Sequence, residues 1–194
     1  MSESKDEKRA KLIETAIETI GRYGIKKTTL EDIAKTAGMA TTSMYYYFPS
    51  KNELLRVALS SIGDALLAEV EVVVNSSSPP EKKLISAWRP LFSSAKRSGF
   101  LVNLDAITKS EVLHLAHDLV EDFNRRYTAL IRRILEQGKA EGVFLVNDFE
   151  LTATVLSVGV LGLLLNTAGQ AQFDLIERQI EVVGELLMNG LRKR

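Results

Sequence analysis

The chain has 194 residues, enough for one domain or two small ones, and its 25 basic residues balance its 25 acidic ones. A net charge of zero indicates no general attraction to nucleic acid, and the absence of cysteine excludes disulfides and thiol catalysis. The N-terminus lacks the apolar core of a signal peptide, and the apolar run at Val155–Leu165 is far shorter than the roughly 20 residues of a membrane span. These features predict a cytoplasmic globular protein.

Three helices are predicted in the first fifty residues, where apolar residues recur at helical spacing. The first runs over residues 8–23 and ends at a glycine. The second follows an N-cap that either Thr28 or Thr29 can supply, because an acidic residue stands three positions after each. The sequence leaves both registers open. The third helix covers about residues 41–48.

Six further helices are predicted after Pro49, which ends the third. They are a long helix from Ser50 to about residue 74, one that begins near 80 and carries Leu84 to Phe92, a short one around 100–109, and helices at about 112–140, 149–167 and 173–191. No alternating strand pattern persists. The sequence therefore predicts an all-α protein of about nine helices, divided into residues 8–56 and residues 57–194.

The second and third helices fit a helix-turn-helix. Gly38 suits the positive-φ position of the turn, while Ile33, Ala34, Met44 and Phe48 can face a common core. In such motifs the second helix enters the DNA major groove with its N-terminal residues first. Here that end reads "ATTS", whose hydroxyls can bond base edges or phosphates.

Three consecutive tyrosines follow on the same short helix, in "MYYYF". Successive residues of a helix point about 100° apart, so the tyrosines cannot all face the core with Met44 and Phe48. At least one phenol must face outward, where it can donate to a phosphate oxygen. Packing of the three rings between helices is the alternative. Lys51, at the start of the next helix, adds a positive charge near the same surface.

The stretch "TTLEDIAKTAGMATTSMYYYFPSKNELL" resembles the DNA-binding signature of the tetracycline-repressor (TetR) family of bacterial transcription regulators. The resemblance covers Lys8 to about Arg56. Beyond it, "ILEQGKAEGVF" and the helix count fit the family in outline. The resemblance implies that Thr41, Thr42 and Ser43 approach bases with Ala40 close by, that Tyr45, Tyr47 and Lys51 contact phosphates, and that Thr29 caps the first motif helix near the DNA backbone. Tyr46 is left out of this set.

The family also implies a homodimer that binds a palindromic operator and is released from it by a small molecule. In this chain the dimer is expected to form through the last two helices, whose apolar residues lie at helical spacing. These residues are Val155, Val158, Leu161, Gly162 and Leu165 on one helix, and Ile176, Ile180, Val183, Leu187 and Leu191 on the other. An ordinary core within one chain is the alternative. Residues 8–56 would bind DNA, and residues 57–194 would bind the effector and dimerise.

An effector pocket is expected between the helices of the C-terminal part, with an apolar or amphipathic ligand. Six residues are candidates to line it: Trp88, Phe92, Phe100, Phe123, Tyr127 and Asn166. For each of them an ordinary place in the core is the alternative. No cofactor is expected.

Two alternatives to a DNA-binding regulator remain. A helical enzyme would need a catalytic set, and its only candidates are His114 and His117 with the acidic residues around them. That spacing can chelate a divalent metal, although unliganded surface histidines are commoner, and we predict no metal site. An adaptor whose helix-turn-helix packs against protein is the other alternative.

Overall fold

The computed structural model describes residues 4–98, 106–166 and 173–191. These residues form ten helices and no β-strand, which confirms the all-α prediction. The helices are α1 Lys5–Tyr23, α2 Leu30–Thr36, α3 Thr41–Tyr47, α4 Lys51–Asn75, α5 Pro80–Ser86, α6 Arg89–Ser98, α7 Ala106–Leu115, α8 His117–Ala140, α9 Phe149–Asn166 and α10 Phe173–Leu191.

The tenth helix arises because the segment after Pro80 is two helices instead of one. α5 ends at Ser86 and α6 begins at Arg89. Pro90 has no backbone N–H to continue the hydrogen bonds of α5, and it stands in the first turn of α6, where proline is tolerated.

The predicted long helix over 112–140 also begins later than expected. Helix α7 continues to Leu115 and α8 starts at His117, with Ala116 between them at φ −113° and ψ 24°. The Ala116 N–H still bonds the Val112 carbonyl at 3.0 Å, and its carbonyl accepts from Val120 at 2.9 Å. The chain therefore bends here with the backbone hydrogen bonds around Ala116 maintained.

Helix α4 belongs to two hydrophobic clusters. Its first part places Leu54 and Leu55 in an N-terminal cluster with buried residues of α1, α2 and α3. Its second part places Leu66 and Val70 in a larger cluster built by α5, α6, α8 and α9. Ile62, between these parts, packs against both clusters. One continuous helix thus links the two halves of the molecule.

Within the described ranges, no helix combines the length and apolarity needed to cross a membrane.

The end of α8 depends on Gly138. The backbone N–H groups of Val143 and Phe144 both donate to the Gly138 carbonyl, at 2.8 and 3.0 Å, after a turn in which Gly142 has φ 73°. This turn folds the buried Phe144 ring back onto the helix, where an added Cβ at position 138 would overlap ring atoms. A side chain there must displace either the ring or the helix.

Gly138→Ala is therefore expected to lower the free energy of unfolding by about 1–3 kcal/mol through overpacking. Gly190→Ala is the matched control, because no heavy atom lies within 4 Å of a Cβ built there. Alanine favours a helix over glycine by up to about 1 kcal/mol, so the control should be neutral or slightly stabilising. Chemical denaturation of both variants measures the difference. Equal stability of the two would contradict this account of the turn.

Candidate nucleic-acid interface

Helices α2 and α3 meet as a helix-turn-helix. Gly38 has φ 69° in the turn, and the Met39 N–H closes it by donating to the Ala34 carbonyl at 2.9 Å. Ile33, Ala34, Met44 and Phe48 have no exposed surface and belong to the N-terminal cluster. The buried side chains are the ones predicted to face the core, so the outward faces of both helices follow from them.

Thr29 caps α2, which settles the open register. Its hydroxyl accepts from the Asp32 N–H at 3.1 Å, and the Asp32 carboxylate accepts from the Thr29 N–H at 2.9 Å and from its hydroxyl at 2.7 Å. These hydrogen bonds lower the pKa of Asp32. Thr28 is buried instead and donates to the Gly24 carbonyl at 2.8 Å. Each threonine of the pair thus fixes a different part of the entry to α2.

The start of α3 is exposed. Ala40, Thr41 and Thr42 are exposed and Ser43 is half-buried. Ala40 occupies the N-cap position and gives no side-chain cap. In the part of the chain that the structure describes, the hydroxyls of Thr41 and Thr42 make no hydrogen bond within the protein. They are available to an external partner.

The three tyrosines of α3 have three different environments. Tyr45 is 48% exposed, and its hydroxyl donates to a Glu31 carboxylate oxygen at 2.6 Å. Tyr46 is 68% exposed and is the most outward of the three. Tyr47 is half-buried and stands edge-on to Tyr46, with ring centroids 5.2 Å apart. The hydroxyl of Tyr45 is thus already engaged.

Tyr46, which the sequence prediction left out of the DNA-contact set, is the tyrosine that points farthest from the core. A rotation of 100° per residue places position 46 about 200° from Met44 and from Phe48, both of which are buried. That arithmetic alone indicates that Tyr46 points away from the core. The outward direction of Tyr46 can therefore be predicted from the sequence once Met44 and Phe48 are placed in the core.

Lys51 is turned toward the protein and is half-buried. Its ammonium group donates to the Ile25 carbonyl in the turn between α1 and α2, and desolvation lowers its pKa. Ser50 caps the helix that follows by accepting from the Glu53 N–H at 3.1 Å. In this structure Lys51 therefore ties the start of α4 to the α1–α2 turn.

Cations from α1 border the same surface as α3. The Lys5 ammonium lies 5.1 Å from the Tyr46 ring centroid, and the neighbouring Tyr46 hydroxyl raises the Lys5 pKa. Lys8 lines a shallow depression of about 280 Å³ together with Thr42, Ser43 and Tyr46. We call the surface formed by Lys5, Lys8, Thr41, Thr42 and Tyr46 the α3 face. It combines positive charge with hydroxyl groups.

A separate apolar cavity of about 190 Å³ lies beside α4, between it and helices α7 and α8. Leu91 of α6 and Leu161 and Leu164 of α9 complete its wall. The principal apolar lining from the three enclosing helices comprises Leu59, Ile62, Leu66, Leu67, Val112, Leu113, Ala116, Leu119, Val120 and Phe123. Its polar lining includes Asp64, Asp122 and Arg126, which are joined by salt bridges.

The predicted pocket residues are distributed differently. Phe123 lines the cavity. Trp88, Phe92 and Tyr127 do not line it and are buried in the larger hydrophobic cluster. Phe100 and the side chain of Asn166 lie outside the described residues. Aromatic identity alone did not distinguish a cavity wall from packed core.

The two histidines are exposed on either side of the bend between α7 and α8. His117 Nε2 lies 3.7 Å from a Glu121 carboxylate oxygen in the next turn. The structure brings together no group of three His, Cys, Asp or Glu side chains in the described ranges that could hold a metal ion.

The last two helices carry an outward apolar stripe. Its members are Leu151, Val155 and Val158 on α9, and Val182 and Leu186 on α10, all at least 55% exposed. We call this set the α9/α10 stripe. Beside it lie Gly159 and Gly162, where an added Cβ would have no neighbouring atom within 4 Å.

Part of the predicted dimer face points inward instead. Leu161, Val183 and Leu191 pack against the larger hydrophobic cluster, so their helical spacing reflects the intramolecular core. The side chains of Leu165, Ile176, Ile180 and Leu187 lie outside the described residues.

Comparison with known proteins gives the same assignment as the geometry. Residues 12–58 match the family model described as bacterial regulatory proteins, tetR family. The HTH-type transcriptional repressor KstR2 of Mycobacterium tuberculosis is 29% identical over 141 residues, covering 71% of this chain and 69% of that protein. The HTH-type transcriptional regulator RutR of Escherichia coli is 35% identical over 72 residues, covering 37% and 34% respectively.

The fold is shared with solved structures. The fatty acid degradation regulator FadR from Bacillus halodurans matches over 100% of both chains with a TM-score of 0.75 at 22% identity, which speaks for the fold alone. The matching segment contains the whole helix-turn-helix, and the relatives named are transcriptional regulators, not enzymes. Residues 12–58 belong to the TetR family of DNA-binding transcription regulators, and the described chain has the fold of the similar solved structures.

Proposed function

We propose that the protein is a dimeric repressor that binds a palindromic operator and is released from it by an apolar small molecule. The observation that carries the proposal is the α3 face, where unengaged threonine hydroxyls stand beside two lysines of α1 and an outward tyrosine. Helix α4 connects this face to the apolar cavity, so one molecule holds both a DNA contact surface and a ligand site.

On the α3 face, Thr41, Thr42 and Ser43 are the proposed base contacts, with Ala40 close to the groove. Short hydroxyl side chains can bond either base edges or phosphates, and a threonine methyl can touch a thymine methyl. These residues open α3, which is the part of a recognition helix that reaches the bases.

Phosphate contacts are assigned to Lys5 and Tyr46, which are exposed, and to the half-buried Lys8 beside them. Tyr45 can donate to a phosphate only by leaving Glu31. Lys51 keeps two further donor hydrogens, but its half-buried ammonium group is held at the Ile25 carbonyl. Both therefore contribute first by holding the motif in shape, as Thr29 does through its cap. Tyr47 is half-buried and remains a proposed contact at the edge.

Selection from a pool of random duplexes, at two salt concentrations, is the direct test. We expect a palindrome whose half-sites lie about 10 base pairs apart or a multiple of that spacing. Thr42→Ala should weaken binding to the selected duplex about tenfold, since a base contact contributes roughly 1–3 kcal/mol. Thr36→Ala, an exposed threonine at the end of α2, is the control and should bind normally.

Folded protein that enriches no sequence at either salt concentration would reject the repressor and favour an adaptor. Equal binding by the Thr42 and Thr36 variants would reject the assigned reading surface.

The α9/α10 stripe is the proposed interface between two copies of the chain. Single exposed apolar residues are ordinary on a protein surface, but these recur on one side of each helix. A two-fold axis would set the α9 and α10 of one protomer against those of its partner as a four-helix bundle. The open space around Gly159 and Gly162 allows close helix approach there.

Val158→Glu should dissociate the dimer, because it places a charge in a desolvated interface. Val72→Glu is the matched control, since Val72 is an equally apolar side chain, 72% exposed, on α4. Light scattering with size-exclusion chromatography should give half the mass for the first variant and an unchanged mass for the second. A dimer that persists in the Val158 variant would exclude this stripe as the interface.

The cavity beside α4 is the proposed effector site, and its lining favours an apolar ligand. The names of two similar proteins agree with that chemistry. KstR2 of Mycobacterium tuberculosis is a ketosteroid transcriptional regulator, and FadR from Bacillus halodurans is a fatty acid degradation regulator. An effector that binds the DNA-free form more tightly weakens DNA binding. The free energy of DNA binding changes by the coupling free energy, typically about 1–3 kcal/mol.

A series of n-alkyl alcohols of increasing length is a suitable probe of this cavity. We expect the unfolding temperature to rise with chain length up to the limit of the cavity, because each buried CH₂ contributes about 0.8 kcal/mol. Leu119→Trp should fill the cavity and abolish the rise, whereas Leu145→Trp, at an exposed position away from it, should not. No rise with any alcohol in the unmodified protein would exclude an apolar site.

A further inference from the structure

Three ion pairs join α4 to α8 along one side of the molecule. Arg56 pairs with Asp118 at 2.6 Å, Asp64 with Arg126 at 2.7 Å, and Glu71 with Arg133 at 3.7 Å. The partners on α4 are eight and then seven residues apart, and those on α8 follow the same steps. Two helical turns contain about 7.2 residues, so every partner returns to the same side of its helix. We call these three pairs the α4–α8 ladder.

The polarity of the first pair is opposite to that of the other two. Arg56 places the positive charge on α4, whereas Asp64 and Glu71 place negative charges there. A shift of α4 along α8 by one step would bring Arg56 against Arg126, or Asp64 against Asp118. The same shift would bring Asp64 against Arg133, or Glu71 against Arg126, so the penalty comes from the first pair alone. The reversed polarity of Arg56–Asp118 therefore disfavours a shift of α4 along α8.

Arg56 makes more contacts than the other arginines of the ladder. Its guanidinium donates to both carboxylate oxygens of Asp118, at 2.8 and 2.6 Å, and to the Leu115 carbonyl at 2.6 Å. It therefore binds the last residue of α7 and the first turn of α8 together, across the bend at Ala116. Such two-pronged pairs fix geometry more strongly than single contacts.

The charge state of this pair is stable. The Arg56 guanidinium lowers the pKa of Asp118 to about 2, so the carboxylate is ionised throughout the neutral range. Since this pKa lies below the usual value near 3.9, the contribution of the pair is complete above about pH 4 and is lost as the pH falls through about 2.

The position of Arg56 is where the two halves of the molecule meet. It directly follows Leu54 and Leu55, which are buried in the N-terminal cluster. Val112 of α7 belongs to that same cluster and also lines the apolar cavity. Ala116, at the bend that Arg56 spans, is part of the cavity wall as well.

We propose that Arg56 is a positioning residue: by holding Asp118 and the Leu115 carbonyl, it fixes the DNA-binding half of the chain against the α7–α8 wall of the cavity. A ligand that displaces this wall weakens the contact of Arg56. Helix α4 can then move, and the α3 face no longer fits the DNA. The link to ligand release rests on the proposed function, whereas the positioning itself does not.

The absence of cysteine allows a direct distance measurement in the full chain. Lys35→Cys on α2 and Ala129→Cys on α8 introduce two exposed labelling sites, one in each half. Nitroxide labels at these sites report the distribution of distances between the halves by pulsed electron paramagnetic resonance. Labelled chains are diluted with unlabelled chains so that only distances within one chain are measured. This readout requires neither the operator nor the effector.

Arg56→Asp and Asp118→Arg should each broaden the distribution, because each places like charges in contact. The double variant should narrow it again. An acid on α4 already reaches an arginine on α8 at 2.7 Å in the Asp64–Arg126 pair, so the exchanged geometry is attainable. Arg133→Asp, which breaks the pair farthest from the DNA-binding half, is the matched control and should leave the distribution unchanged.

Affinity for the selected duplex gives the second readout. We expect each single exchange to lower this affinity at least fivefold and the double variant to recover most of it. The Arg133 variant should bind with the parent affinity. Where a single exchange prevents folding, Arg56→Gln and Asp118→Asn replace it and should show the same broadening.

Three results would overturn the proposal: single variants that keep the parent distribution, equal broadening by the Arg133 variant, or a double variant no narrower than the single ones. A protein that selects no duplex would reject the proposed function while the distance measurement still decides the role of Arg56.

Discussion

The continuity of α4 is the constraint on which the rest of the structure depends. It has 25 residues, and at about 1.5 Å per residue it extends for nearly 40 Å. Its first turns are buried with the helix-turn-helix, and its later turns are buried with the C-terminal helices. Because its backbone hydrogen bonds continue without a break, a displacement at one end is transmitted to the other. The position of the α3 face therefore cannot be separated from the packing beside the cavity.

The charge distribution limits how this surface can hold DNA. The chain is neutral, and α3 itself has no basic residue. For the proposed α3 face, electrostatic attraction would come from flanking cations such as Lys5 and Lys8 on α1 and the exposed Lys26 and Lys27 between α1 and α2, together with whatever Lys51 contributes beyond its bond to Ile25. Each phosphate neutralised steepens the dependence of log affinity on log salt by roughly 0.9. With no cation on α3 itself we expect a small slope, and recognition would rely on the threonines and on the fixed geometry of the motif.

Local features of the fold could be predicted from the sequence because they depend on neighbours within a few residues. The cap of Ser50, the turn at Gly38 and the inward direction of Met44 and Phe48 all follow from short spacings. The inward turn of Lys51 could not be predicted, since it depends on a carbonyl 26 residues away in the chain. The cavity was equally hidden. Whether Tyr127 or Leu119 lines it depends on how α4, α7 and α8 pack, and aromatic content does not determine that packing.

The arrangement of contacts also indicates how the proposed dimer would set the geometry of DNA recognition. Helix α9 packs extensively on α8, which is joined to α4 by the α4–α8 ladder. Helix α4 in turn packs against α1, and the start of α4 is tied to the α1–α2 turn through Lys51. If two chains meet at the α9/α10 stripe, the distance between their recognition helices is set by this series of rigid contacts. Half-site spacing then depends on the weakest contact in the series. Of the three ladder pairs, Arg56–Asp118 is the one beside both the N-terminal cluster and the cavity-wall residues Val112 and Ala116, so a movement of that wall would reach the DNA-binding half through it.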